Sequence, residues 1–287
     1  MPPSDDTARF AAHEKHPAGA GGTDGSVPAC AGAAPDARSS PAARRPVARP
    51  VRLVRLPRRG KAVFVGDTHG DLQASRVVVK TYLPKNYTVV FLGDYVDRGP
   101  QSRENLDYLL ALRETHENLV LLAGNHEMYP IESFRPAEFW EGLSPSGREE
   151  YGTALASLPL AAEGKGFLAL HGVPPDVASL KAFEGIETGS PQWFRMMWGD
   201  FREKEGEDLG PFLGRPRFGS GYFFRVMKTL RKHLLIRSHD PRAPEWMFGG
   251  RCLTIFTSSA YGRDRRIAVV NLSGTTRSCA DVELVTL

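Results

Sequence analysis

The stretches KAVFVGDTHGD at 61–71, TVVFLGDYVDRG at 88–99 and NLVLLAGNHE at 118–127 decide how this chain folds. Each opens with a run of apolar, largely β-branched residues and closes on a glycine followed by ionisable side chains. Short, near-continuous apolar runs of this kind suit strands buried on both faces. A helix-compatible stretch, 72–83, separates the first two. Another, 102–115, separates the second and third, with Leu106, Leu109 and Leu110 at helical spacing. Asp67 to Asp94 is 27 residues and Asp94 to Asn125 is 31, close to the roughly 30 of a strand–helix–strand unit. The pattern is α/β, with a parallel or mixed sheet. Further strands are expected at 167–170, 234–237, 253–257 and 267–272. Gly66, Gly93 and Gly124 are expected to turn the backbone off each strand, so that the next side chain points inward.

Ligands of open α/β sheets bind at the carboxyl ends of the strands. Here those ends carry Asp67 and His69, then Asp94, Asp97 and Arg98, then Asn125 and His126, while a fourth run ends at His171. So many ionisable groups on the rim of an apolar sheet are costly unless something compensates them. Carboxylate, amide oxygen and imidazole are suitable ligands for divalent cations, which makes a metal site the natural compensation. Any one of these short strings could arise at an ordinary turn. The weight lies in three of them following β-runs in order.

Composition sets the outer bounds. Of 287 residues, 41% are apolar and 24% charged, which excludes a wholly disordered chain and a coiled coil. The longest apolar runs fall short of the roughly 18–20 residues that span a bilayer, so no membrane partner is expected. Cys30, Cys252 and Cys279 are too few for a disulfide framework and form no CxxC pair, which points to a reducing, cytoplasmic compartment. Residues 1–50 hold 13 Ala, 8 Pro and 5 Gly, and their only large aliphatic or phenyl side chains are Phe10, Val27 and Val47. Such a segment cannot offset its ordering entropy and reads as disordered. Asp5 and Asp6 stand where a secretory leader would be basic.

Residues 44–59 are basic and punctuated by proline. They read as a linker that packs Val51, Leu53 and Val54 on the domain it enters. No aromatic residues interleave the arginines, so nucleic acid is not an expected partner. The division is a tail and linker over 1–59 and one catalytic domain over 60–287. The net charge of +4 belongs to the tail and says nothing about the substrate.

GDTHG at 66–70, GDYVDRG at 93–99 and GNHE at 124–127 resemble the three signature blocks of the metallophosphoesterases. The DRG within the second is similar to the phosphoprotein phosphatase branch, which contains the major Ser/Thr protein phosphatases. HGVPPD at 171–176, WGD at 198–200, the arginine loop at 217–224, LIRSH at 235–239 and TSSAY at 257–261 resemble later blocks of that branch. The likeness covers about 60–275.

The resemblance implies a calcineurin-like metallophosphoesterase fold, in which central mixed β-sheets form a sandwich flanked by helices. It implies two divalent metal ions, with Mn²⁺ favoured and Fe or Zn as options. Asp67 and His69 would hold one, Asp94 both, and Asn125, His171 and His239 the other. It implies phosphomonoester hydrolysis on phosphorylated protein or peptide, by direct attack of a hydroxide bridging the metals. His126 would be the general acid and Asp97 its orienting carboxylate. Arg98, Arg217 and Tyr261 would bind the phosphate. Phe218 replaces the glycine that usually follows the loop arginine, so Arg215 is an alternative to Arg217. Hydrolysis of dinucleoside polyphosphates is the rival within the fold, and a non-catalytic scaffold the rival outside it. Asp71 and Glu127 read as supporting or turn residues, and Arg237 as an ion-pair partner.

Overall fold

In the computed structural model, which describes residues 50–287, the described chain enters the fold as a strand. β1 (Leu53–Arg55) runs parallel to β5 (Ala161–Gly164), with Leu53 opposite Ala161. The boundary expected at 59 and 60 is therefore too late. Leu53 and Leu56 are buried, whereas Val51 stays exposed, and Arg55 reaches Glu163 at 3.1 Å. Proline and arginine around this segment hide a short edge strand, a place where both residue types are tolerated. Residues 1–49 of the disordered segment expected over 1–50, and Cys30 with them, lie outside the described residues.

The opening pattern builds the first sheet. β2 (Lys61–Val65), β3 (Thr88–Phe91) and β4 (Leu119–Leu121) are parallel neighbours. They are linked by α1 (Leu72–Tyr82) and α2 (Ser102–Arg113). β12 (Arg266–Asn271) and β13 (Val282–Thr286) extend the sheet antiparallel on the β2 side. The second sheet takes β1 and β5, then β6 (Phe167–Leu170), β9 (Leu234–Arg237), β11 (Cys252–Thr254) and β10 (Trp246–Met247). A small parallel pair, β7 (Asp200–Phe201) and β8 (Arg217–Phe218), stands apart.

Side-chain alternation turns the two sheets into a sandwich. Ala62, Phe64, Val90 and Leu92 of one sheet meet Phe167, Ala169, Ile236 and Leu253 of the other in a single apolar cluster. The opposite faces are covered by helices. Val63, Val65, Val89 and Phe91 pack in one cluster with Val78, Leu106 and Leu109. The second sheet's outer face shares that cluster with residues of α5 (Pro191–Trp198) and α6 (Ser220–Thr229). α3 (Glu138–Glu141) and α4 (Pro145–Ala156) lie in the crossover between β4 and β5. The polar clusters follow the carboxyl ends of parallel strands in both mixed sheets: Asp67, Asp94 and Asn125 after β2, β3 and β4, and His171 and His239 after β6 and β9. No helix among the described residues is long and apolar enough to cross a membrane.

Candidate active site

The rim is built on strained backbone. Nine non-glycine residues among those described have positive φ, and five of them are His69, Asp94, Asp97, Arg98 and His239, at 42° to 76°. L-residues avoid this region unless the surroundings hold them there. Two glycines make the geometry possible. Gly93 has φ +105°, and a Cβ there would stand 2.4 Å from Gly124 N. A Cβ on Gly124 would stand 2.3 Å from Asp94 Oδ1, although its own φ is ordinary. Gly124 is thus required by the close approach of two strand ends rather than by a turn, which corrects the expectation for that residue.

Asp94 is the centre. Its Oδ2 lies 3.7 Å from His69 Nε2, 3.3 Å from His171 Nε2 and 3.9 Å from His126 Nε2. Two groups of potential metal ligands share it: His69, Asp94 and His126, and Asp94, His171 and His239. Asp67 lies beside both, with Oδ2 3.7 Å from His69 Nε2 and Oδ1 3.7 Å from His171 Nδ1. Asn125 Oδ1 lies 3.0 Å from His171 Nε2, and His239 Nδ1 lies 3.1 Å from the same nitrogen. All six residues implied as ligands by the resemblance converge within one buried cluster.

Three features fit this cluster to divalent cations. Asp67 Oδ2 is buried with no hydrogen-bond partner among the described residues, a costly state for a carboxylate oxygen. The donors are carboxylate, imidazole and amide oxygen, the set that first-row divalent metals accept. The rings are also oriented from outside. His69 Nδ1 bonds the Val96 carbonyl at 2.7 Å, leaving Nε2 as a lone pair facing the cluster, as supporting bonds do around metal ligands. The electrostatics are correspondingly tense. Burial, then the neighbouring Asp94, pushes the Asp67 carboxyl up. Burial and then His126 push the His69 imidazole down to about 3. Burial, then Arg215, holds His239 well below its ordinary value.

Beside the cluster stands a His–Asp pair. His126 Nδ1 lies 2.6 Å from Asp97 Oδ2. The other Asp97 oxygen accepts from Phe139 N at 2.8 Å, and Trp140 Nε1 donates to the His126 carbonyl at 2.7 Å. Short helix α3 therefore clamps both members. Burial alone would lower the His126 imidazole, but the carboxylates of Asp94 and Asp97 outweigh it and raise it.

Glu127 is structural, as expected. Its carboxylate accepts from Asp94 N, Tyr95 N and Gly124 N at 2.8 to 3.0 Å and so fixes the ends of β3 and β4.

The arginines divide differently from the expectation. Arg98 is exposed at the rim, and its charge disfavours protonation of His69 and His126. Arg217 faces away: its Nε donates to the Gly210 carbonyl at 3.1 Å and its guanidinium lies over the Phe212 ring. Arg215 takes the place by the cluster, with Nη2 2.7 Å from Asp200 Oδ1 and 2.6 Å from His239 Nε2. The Gly210 carbonyl and the Phe212 ring hold Arg217 there, whereas Arg215 precedes β8, in the turn bridged to Phe212, and reaches Asp200 and His239. Contrary to the expectation, Arg237 makes no ion pair within 4 Å among the described residues. It is buried over the Phe201 ring, with Nη1 3.4 Å from the Gly172 carbonyl. Tyr261 donates its hydroxyl toward His69 Nε2 at 2.9 Å. Burial, then Asp67 and Asp94, raises its phenol and keeps it protonated.

Sequence reasoning missed the aromatic wall. The Phe134 ring lies edge-on at 4.6 Å from His126 and 5.3 Å from Trp198, and Trp198 stands 6.2 Å from His239. The WGD string marked Trp198 only as part of a later block of the resemblance, and nothing flagged Phe134.

The profile of the calcineurin-like phosphoesterase family matches residues 60–243. The chain belongs to that family. A probable serine/threonine-protein phosphatase of Encephalitozoon cuniculi is 27% identical over 219 residues, 70% of this chain and 48% of that relative. Serine/threonine-protein phosphatase T of Saccharomyces cerevisiae is 29% identical over 220 residues, 70% of this chain and 42% of its own. The chain thus spans about half the length of the curated relatives it matches. A solved Saccharomyces cerevisiae protein serine/threonine phosphatase, described as similar to human phosphatase PP5, superposes with a TM-score of 0.67 at 24% identity, covering 83% of this chain and 84% of that one. A putative diadenosine tetraphosphatase follows at 0.51 and 16% identity, covering 82% and 98%. The calcineurin-like phosphoesterase fold, with mixed sheets flanked by helices, is the one expected.

Proposed function

We propose that this calcineurin-like phosphoesterase hydrolyses phosphoserine or phosphothreonine in proteins with two divalent cations, Mn²⁺ foremost. One observation carries the reading: Asp94 is shared by two groups of potential ligands, with a clamped His126–Asp97 pair at their edge. Asp67, His69 and Asp94 would hold one cation, and Asp94, Asn125, His171 and His239 the other. Paired cations supply Lewis acidity and a nucleophilic water at neutral pH.

The chain's own residues do the rest. His126, protonated and fixed by Asp97, donates its Nε2 proton to the departing serine or threonine oxygen. Asp97 orients that ring and stabilises its cationic form. Arg98 and Arg215 bind non-bridging phosphate oxygens, where a guanidinium complements the charge of phosphoryl transfer. Tyr261 donates one more hydrogen bond. Names of relatives support the protein substrate over a dinucleoside polyphosphate. A cytoplasmic site of action accords with the unpaired cysteines. Phosphate release from a phosphoserine peptide, measured beside diadenosine tetraphosphate, tests the reading.

A further inference from the structure

Asp71 has no assigned part in the chemistry, yet its two carboxylate oxygens hold two different parts of the rim together. Oδ1 accepts from Ala74 N at 2.9 Å and caps α1. Oδ2 accepts from Ser259 N at 2.9 Å, across 188 residues of chain. Arg265 Nη1 lies 3.7 Å from the same oxygen, and the Asp71 side chain is 8% exposed. Ser259 opens the single 3₁₀ turn Ser259–Tyr261, whose cap is Ser258 Oγ on Ala260 N. That turn carries Tyr261, whose ring packs edge-on against Phe256 and His69. Ser259 and Ala260 are exposed and Tyr261 is half-buried. Near Tyr261 the turn is held by the Asp71 bond and the Tyr261 hydroxyl on His69 Nε2, while Thr257 before it is fixed by its N–H on the Asp67 carbonyl and by Oγ1 with Gly66 N and the Arg266 carbonyl.

We propose that Asp71 is a positioning residue: its Oδ2 seats the 3₁₀ turn so that the Tyr261 hydroxyl stands over the phosphate site. The α1 cap needs one acceptor oxygen and the turn needs the other, so only a carboxylate serves both. This rests on the phosphatase reading for the role of Tyr261, but the latch itself does not.

Asp71→Asn separates the two bonds. Asparagine caps helices as well as aspartate does, while its amide NH₂ cannot accept from Ser259 N. Hydrogen exchange in purified full-length protein is the first arm. Amides of 257–262 should exchange about tenfold faster in Asp71→Asn with those of α1 unchanged, the opening of a segment that loses its tether. Unchanged exchange at 257–262, or equal loss across α1, overturns the latch whether or not the protein is a phosphatase.

The second arm uses a phosphoserine peptide. Tyr261→Phe and Asp71→Asn should each raise KM about fivefold at near-constant kcat, the size of one hydrogen bond made in ground and transition states alike. The double variant should be no worse than Tyr261→Phe alone. Multiplying effects, or a Tyr261→Phe variant like wild type, would show that Asp71 does not act through Tyr261. Mn²⁺ affinity, read from the EPR signal of free Mn²⁺, should be unchanged in Asp71→Asn. A loss there would place its action on His69 instead. Faster exchange in a protein without phosphatase activity would overturn the functional reading and leave the latch standing.

Discussion

His126 Nδ1 and Asp97 Oδ2 stand 2.6 Å apart, both buried, with the second Asp97 oxygen taken by a backbone N–H of α3. The bond fixes which ring nitrogen of His126 faces Asp94 and makes the imidazole a stronger base than burial alone would leave it. His126→Ala should therefore lower turnover on a phosphoserine peptide by about 10²–10⁴-fold, the usual worth of a general acid. An aryl phosphate, whose leaving group needs no proton, should suffer far less. Steady-state rates on the two substrates check the split.

The same pair sets a pH dependence. In the proposed reaction His126 acts as its protonated form, and its imidazole is raised above the ordinary 6.5. Activity should be retained below that raised value and fall as pH climbs through it. Asp97→Asn removes one of the two anions, after Asp94, that outweigh burial, so the alkaline limb should move down. A pH–rate profile of kcat on the phosphopeptide reads the shift.

Arg215 and Arg217 are two residues apart and face opposite ways. Arg215→Ala should cost kcat/KM about 10- to 100-fold, near the 1.5–3 kcal/mol of a charge-assisted hydrogen bond. Arg217→Ala should leave kcat/KM within about twofold, as expected of a residue remote from the site. Parallel kinetics on the two variants decide between them.

Gly124→Ala should damage fold and site together. Its methyl would meet Asp94 N and Oδ1 at 2.4 and 2.3 Å and Glu127 Oε2 at 2.9 Å. Overpacking of this kind costs about 1–3 kcal/mol, and the displaced Asp94 should bind Mn²⁺ poorly. Thermal unfolding and Mn²⁺ titration measure each effect.

Much of this was legible because the βα repeat of the first sheet is local. β6 and β9 lie where their apolar runs put them, and α1 and α2 follow the spacing of their leucines and valines. β1 escaped because its stability comes from β5, more than a hundred residues away, rather than from its own proline- and arginine-rich segment. Ligand types were readable from Asp, His and Asn at strand ends. Which arginine faces the cluster was not, because contacts within the loop before β8, to the Gly210 carbonyl and Phe212, settle it. Phe134 gives no local signal, and only the tertiary path of the β4–β5 crossover brings its ring onto His126.

The most direct test is phosphate release from a phosphoserine peptide by protein stripped with a chelator, then titrated with Mn²⁺, with diadenosine tetraphosphate run alongside. The account predicts negligible release from stripped protein, recovery as Mn²⁺ fills the site, and faster turnover of the peptide. Full peptide hydrolysis by the stripped protein would contradict the two-cation site, and turnover of diadenosine tetraphosphate alone would contradict the protein substrate.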